Sequence, residues 1–286
     1  MMQDDVVTAA RRLVDRLRSY GSVAVAFSGG VDSAVVARAA VLALGPDAVA
    51  VTAVSPSLAE VERQTARLEA AAMGIRHVEF STTEFTRDEY RRNAGDRCFF
   101  CKDSLYTLTA SRLSELGVST MANGANLDDL GDHRPGMQAA AQHQVRSPLI
   151  EEGVGKEMVR ALARHWNLSV AEKPASPCLA SRIAYGVEVT EERVHRVERA
   201  EAFLRELTGL SELRVRHEAT DLARIEVPLT ALPCLTDNTI RTQVVQQLGS
   251  LGFRAVTLDL AGFRSGSLNA ALPLVSLGRP EAAAID

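Results

Sequence analysis

At 286 residues the chain exceeds the ~100–200 residues of one ordinary domain, so two units, or one with a large appendage, are expected. A hydrophobic content of 46% supplies a real core, and a net charge of −4 argues against a general nucleic-acid binder, local basic patches aside. The opening MMQDDVVTAARRLVDRLRSY is acidic and then amphipathic, unlike a signal peptide, and no run of about 18 apolar residues could span a bilayer, so a soluble, cytoplasmic protein is expected.

The spacing predicts an amphipathic helix over about 4–20, then VAVAF as a buried parallel strand. SGGVDS follows, and AVVARAAVLAL reads as a helix ended by Gly45-Pro46. AVAVTAV is a second strand with a helix over 57–73 behind it, and Arg76 to Phe80 a third. STMAN (119–123) and VRSPL (145–149) read as two more, each beside a helical stretch. Strands alternating with helices imply an α/β, doubly wound, mostly parallel sheet. Near 187 the pattern changes to the charged helix EERVHRVERAEAFLREL, the neighbouring strands LRVRHE and LARIEVP, a helix over 237–250, RAVTLDL and the loop AGFRSGS. The expected division is 1–186 and a smaller α/β unit, 187–286, with EAAAID a loose tail.

SGGVDS sits between a buried strand and a helix start. Its glycines, Gly29 and Gly30, let the backbone approach an anion. Ser28, Ser33 and the helix N-terminal N–H groups donate to phosphate oxygens, and Asp32 offers a magnesium ligand. An ordinary glycine-rich turn is the competing reading. The loop lacks the lysine of GxxxxGK[ST] and is not GxGxxG.

Four cysteines make no disulfide framework in a chain of this size. Cys98 and Cys101 form the close pair CFFC, while Cys178 lies in KPASPCLASR, a polar loop restricted by its prolines Pro174 and Pro177. The pair's spacing lets two thiolates reach neighbouring metals of one cluster; a zinc half-site completed by His77 or His133, or a redox pair, is the alternative. Cys234, in the apolar VPLTALPCL, is expected in the core, and Trp166 in packing.

SGGVDS resembles the pyrophosphate loop of the ATP pyrophosphatase (PP-loop) superfamily, whose members transfer AMP to a substrate oxygen and release pyrophosphate. GANLDDLGDHRPG (124–136), VRSPLIE (145–151), KPASPCLASRIAYG (173–186), RVRH (214–217) and GFRSGSLN (262–269) resemble the LarE family in chain order. That family comprises ATP-dependent sulfur transferases that build the nickel-pincer cofactor of lactate racemase. The resemblance implies adenylation of a carboxylate of pyridinium-3,5-biscarboxylic acid mononucleotide, followed by replacement of AMP with sulfur. Cys178 matches the family's sulfur-transferring cysteine, which some members sacrifice, becoming a dehydroalanine form. The added CFFC pair resembles the cluster-bearing branch, implying that Cys98, Cys101 and Cys178 hold a [4Fe–4S] cluster with one open iron. ATP, Mg2+ and that cluster are the expected cofactors. A small-molecule nucleotide substrate, sulfide or another sulfur donor, and a second copy of the chain are the expected partners.

Cys178, Asp32 and Arg182 are the candidate catalytic residues. Asp128, Asp129 and Asp132 share a loop with Arg134 and suit magnesium or nucleotide groups, although Asp-rich turns also serve as caps. Arg214 and Arg216 alternate along a strand and project from one face, suiting a substrate phosphate. Arg264, in the final glycine loop, is another anion contact. Glu226, facing with Arg224, suits a metal or an arginine, and Lys102 a phosphate. A tRNA thiolase is the second reading, disfavoured by an acidic chain without an aromatic-basic RNA motif. A nucleotide-binding regulator without catalysis is the third, disfavoured by Asp32, Cys178 and the Arg214/Arg216 pair.

Overall fold

The computed structural model describes residues 2–131 and 135–264. Asp132, His133 and Arg134, the motif beyond Arg264 and the terminal EAAAID lie outside the described residues. Strands β1 (Val23–Ala26), β2 (Ala48–Val54), β3 (Arg76–Ser81) and β4 (Thr120–Ala122) form a parallel sheet in the order β3-β2-β1-β4. The apolar runs of β1 and β2 follow from burial on both faces. Val23, Val25, Ala48 and Ala50 face one core with Leu13, Leu17, Val35, Val159 and Leu162. Ala24, Val49 and Val51 face the other, with Phe80, Leu105, Tyr106 and Ala139. Helices Met2–Arg18, Val31–Leu44 and Lys156–His165 cover the first face; Arg97–Ala110 and Pro135–Gln142 contribute to the second. The doubly wound fold is therefore as the sequence predicts.

One expected strand is nearly absent. In VRSPL only Arg146 bridges, in parallel, to Ala122, and Pro148 opens the short helix Pro148–Glu151. Proline has no N–H to continue a ladder but suits the first turn of a helix.

The second sheet has the order β5-β6-β7. Strand β5 (Arg214–Glu218) runs antiparallel to β6 (Leu222–Glu226), and β7 (Ala255–Leu258) runs parallel to β6. Helices Glu191–Thr208 and Asn238–Ser250 pack with this sheet through Val194, Val197, Leu204, Val244 and Leu248. Thr190 caps the first by accepting from Arg193 N, and Asp237 caps the second by accepting from Thr239 N and Ile240 N. This core also takes in Tyr90, Leu179, Ala180 and Ile183, and Ile183 forms a parallel bridge to His217. The segment that follows Cys178 is thus built into the second core. No described helix is long and apolar enough to cross a membrane.

Candidate active site

The phosphate loop leaves β1 at its C-terminal end, where parallel α/β sheets open a crevice. Gly29 has a φ of 68°, and a Cβ there would lie 3.0 Å from the Ala66 backbone. Two hydroxyls brace the turn: Ser33 Oγ donates to Gly30 O (3.0 Å), and Gly30 N donates to Ser28 Oγ (3.3 Å). Gly30 caps the helix Val31–Leu44 without a side-chain bond, so the N-terminal amides there remain suited to an anion. Gly124 lets the segment after β4 close on this turn, since a Cβ there would lie 2.7 Å from Ser33 N.

Asp32 is already oriented. Asn126 Nδ2 donates to one oxygen (3.0 Å) and Lys156 Nζ to the other (2.5 Å). The two neighbouring aspartates act on backbone amides: Asp128 accepts from Lys156 N (2.5 Å) and Asp129 from Asn126 N (3.0 Å). A second lysine, Lys173, donates to Gly29 O (3.3 Å) and Glu62 (2.7 Å). Lys173 opens the loop that carries Cys178, so that loop is tied directly to the phosphate loop. At its other end Leu179 N donates to Ser57 O (2.8 Å), and the Ser57 hydroxyl pairs with Tyr90 OH (2.6 Å).

Between those two ties, residues 174–178 are exposed. Arg182 holds the loop from beneath. Its guanidinium is buried, paired with Glu201 (3.0 Å), and donates to the carbonyls of Pro177 and Cys178 (3.1 Å to the latter).

Cys98 lies in the first turn of the Arg97–Ala110 helix, an end that favours negative charge, and Cys101 begins the second. Three residues apart, they share a helical face. Cys98 and Cys178 are exposed and Cys101 half-buried. Burial, then the Glu84 carboxylate, pushes the Cys101 thiol up to about 12; Cys178 and Cys98 add to that shift and Lys102 opposes it. Burial pulls the Lys102 ammonium down, but Tyr106 and all three thiols outweigh it and raise its pKa. Cys98 and Cys178 therefore both act on Cys101, and all three thiols act on Lys102. Glu84 is fully buried with neither carboxylate oxygen hydrogen-bonded.

Among the described residues no three His, Cys, Asp or Glu side chains converge as the ligands of a single ion must. His77 is committed elsewhere: its Nε2 lies 2.7 Å from Thr52 Oγ1, and burial lowers its pKa. A cluster binds its thiolates on separate irons. Thiolates are soft donors of the kind that iron–sulfur clusters and zinc both take.

The family profile described as asparagine synthase matches residues 8–123, which hold all four strands of the parallel sheet. An uncharacterized protein of Synechocystis sp. is 44% identical over 87% of this chain and 92% of its own length. The pyridinium-3,5-bisthiocarboxylic acid mononucleotide synthase of Lactiplantibacillus plantarum is 36% identical over 95% of this chain and 98% of its own. The chain belongs to the LarE family. A more distant uncharacterized protein of Methanocaldococcus jannaschii, 23% identical, covers 85% of the chain and 91% of its own length.

In this LarE-family protein the two strand arginines share a face of β5 but differ in state. Arg216 is buried, donating to Glu226 (2.9 Å) and Ser181 O (3.0 Å). Arg214 is half-buried over the Phe263 ring, 5.0 Å from its centroid. Burial, with Arg182 and Arg216 nearby, brings its pKa down to about 10, a cation that an anion would relieve. Glu226 is buried between Arg216 and Arg224, as an arginine partner. Arg264 is exposed. Trp166 packs against the first core as expected, whereas Cys234 does not: it is exposed, because the turn Leu232–Thr236 points Leu235 inward instead. Sequence reasoning missed Lys156, Lys173, Asn126 and Ser57. Lys156 stands directly after Gly155 at a helix start and Lys173 opens the cysteine loop, so charge beside a motif was the available signal.

Proposed function

We propose that the protein is an ATP-dependent sulfurtransferase. It adenylates a carboxylate of pyridinium-3,5-biscarboxylic acid mononucleotide and replaces AMP with sulfur to give a thiocarboxylate. The observation that carries the proposal is the tie from Lys173 to Gly29, which sets the thiol-bearing loop beside the phosphate loop. Adenylation and sulfur delivery need that adjacency. The similarity to the mononucleotide synthase of Lactiplantibacillus plantarum supports the choice of substrate.

A substrate carboxylate oxygen attacks the α-phosphorus of ATP, and the bond to the β-phosphate breaks. Ser28, Gly29, Gly30 and Ser33, with the amides beyond them, receive the pyrophosphate charge. Asp32, oriented by Lys156 and Asn126, would supply a hard oxygen ligand to Mg2+. Hydrosulfide then attacks the acyl carbon and loses its proton, and AMP departs with the electrons of the carbon–oxygen bond. Arg214 holds the substrate phosphate against β5, while Arg182 fixes the backbone at Cys178. Cys98, Cys101 and Cys178 would hold the cluster, and Lys102 would offset their charge. A cluster held by those thiols would supply the transferred sulfur in bound form.

Pyrophosphate release from ATP, measured with the mononucleotide and separately with tRNA, tests the proposal. Release that requires the mononucleotide is expected. Release that requires tRNA would move the protein to the thiolase reading.

A further inference from the structure

Cys98 and Cys101 sit on one segment and Cys178 on another, about eighty residues later in sequence. Three thiols can bind one rigid group only if those segments keep a fixed register. Asn93 lies where the segments meet. It follows the short helix Asp88–Arg91, adopts a φ of 56°, and is 0% exposed. Its Nδ2 donates to Ala184 O (2.8 Å), Val187 O (3.1 Å) and Ile183 O (3.2 Å). Its Oδ1 accepts from Arg97, the buried residue immediately before Cys98. With carbonyls on one side and a guanidinium on the other, the amide can sit only one way round.

Backbone bonds repeat the connection. Gly186 N donates to Asn93 O (3.1 Å), and Val189 N donates to Arg91 O (2.8 Å). The carbonyls that Asn93 collects begin at Ile183, directly after the turn Leu179–Arg182 that starts at Cys178. One buried side chain therefore touches both the start of the CFFC helix and the end of the Cys178 turn.

We propose that Asn93, through Arg97, is a positioning residue that sets the distance between the CFFC thiols and Cys178; this rests on the three-thiol reading above. The left-handed backbone is tolerated by asparagine and by glycine, whereas most residues are strained there. Asn93→Gly thus permits the same backbone conformation and removes the side-chain clamp, including the acceptor of Arg97.

The test uses cluster-free protein carrying Cys98→Ala and Cys234→Ala, which leaves one thiol on each segment. Dibromobimane, a short bifunctional thiol reagent, becomes fluorescent on joining Cys101 to Cys178. Adding Asn93→Gly should lower the rate of joining at least about fivefold, the factor that one lost hydrogen bond of ~1 kcal/mol commands. Adding Arg97→Gln instead should lower it in the same direction, and decides the matter if Asn93→Gly shows no cooperative melt. Pyrophosphate release in otherwise wild-type Asn93→Gly protein should stay within about twofold of normal, because adenylation uses other residues. An unchanged joining rate in the folded variants would overturn the proposal, as would parallel loss of joining and pyrophosphate release, which signals a general fold defect. Iron binding by the otherwise wild-type chain separates the two ideas: no iron uptake, with clamp-dependent joining, would refute the three-thiol reading and leave the clamp standing.

Discussion

Around the phosphate loop the two organising lysines reach in from partly exposed positions, Lys156 onto Asp32 and Lys173 onto Gly29, with buried Asn126 as the second partner of Asp32. Around Cys178 they sit underneath, in Arg182, Glu201 and Asn93, all buried, while the thiol itself is exposed. The first site holds its charges ready for a polar ligand on side chains still partly open to solvent. The second fixes a flexible-looking loop by sinking its anchors into the core of the smaller sheet. Damage to the first should therefore appear in rate, and damage to the second in stability.

The largest effect is expected at Glu201. Changing Glu201→Gln leaves the Arg182 guanidinium buried without its carboxylate, which typically costs about 3–5 kcal/mol. Urea unfolding should show a loss of that size; a change below about 1 kcal/mol would mean that the loop is anchored elsewhere. On the other side of the comparison, Asp32→Ala should reduce pyrophosphate release at least about a hundredfold, the scale of losing a charge-stabilising group at a transition state. The melting temperature should barely move, since Asp32 and Lys156 are both partly exposed. Normal adenylation would remove Asp32 from the mechanism.

The β5 arginines divide the same way. Arg214→Ala should raise KM for the mononucleotide about tenfold or more, leaving KM for ATP little changed, as loss of a charge-assisted bond of ~1.5–3 kcal/mol predicts. Arg216→Ala should instead lower stability, because it strips Glu226 of a buried partner. An equal rise in both Michaelis constants for Arg214→Ala would point to the fold. The smallest effect is expected at Glu79, on which Arg67 and Arg63 converge, holding its pKa down to about 2 from an ordinary 4.5. A depressed carboxylate stabilises the folded state above its ordinary pKa, and that contribution fades as pH falls from 4.5 through about 2. Glu79→Gln should cost about 1 kcal/mol at neutral pH and flatten this acid limb, given partly exposed arginines. An acid limb unaltered by the substitution would place the sensitivity in other groups.

Legibility in the sequence follows the same divide. SGGVDS is six consecutive residues between a strand and a helix, so its chemistry is local and can be read directly. The parallel sheet was legible for a similar reason, since VAVA and AVAV bury alternate residues on two faces. The Arg97–Ala110 helix was not, because RCFFCKDSLYTLTA carries no clear apolar stripe and is held by Leu105 and Tyr106 against the sheet. Period-two alternation placed Arg214 and Arg216 on one face, but only the cross-strand partnership with Glu226 separates their roles. Asn93 and Ser57 are single polar residues without a motif, and the contacts that matter here, Asn93 to Ala184 and Ser57 to Leu179, span about ninety and more than one hundred and twenty residues.

The most direct test of the three-thiol account is intact mass spectrometry of the anaerobically reconstituted protein before and after several turnovers with ATP, mononucleotide and sulfide. The account predicts about four iron per chain at the start, lost in Cys98→Ala, Cys101→Ala and Cys178→Ala but kept in Cys234→Ala, and an unchanged polypeptide mass after multiple turnovers. A stoichiometric loss of about 34 Da, one hydrogen sulfide taken from Cys178, would contradict it and make the cysteine a sacrificial donor.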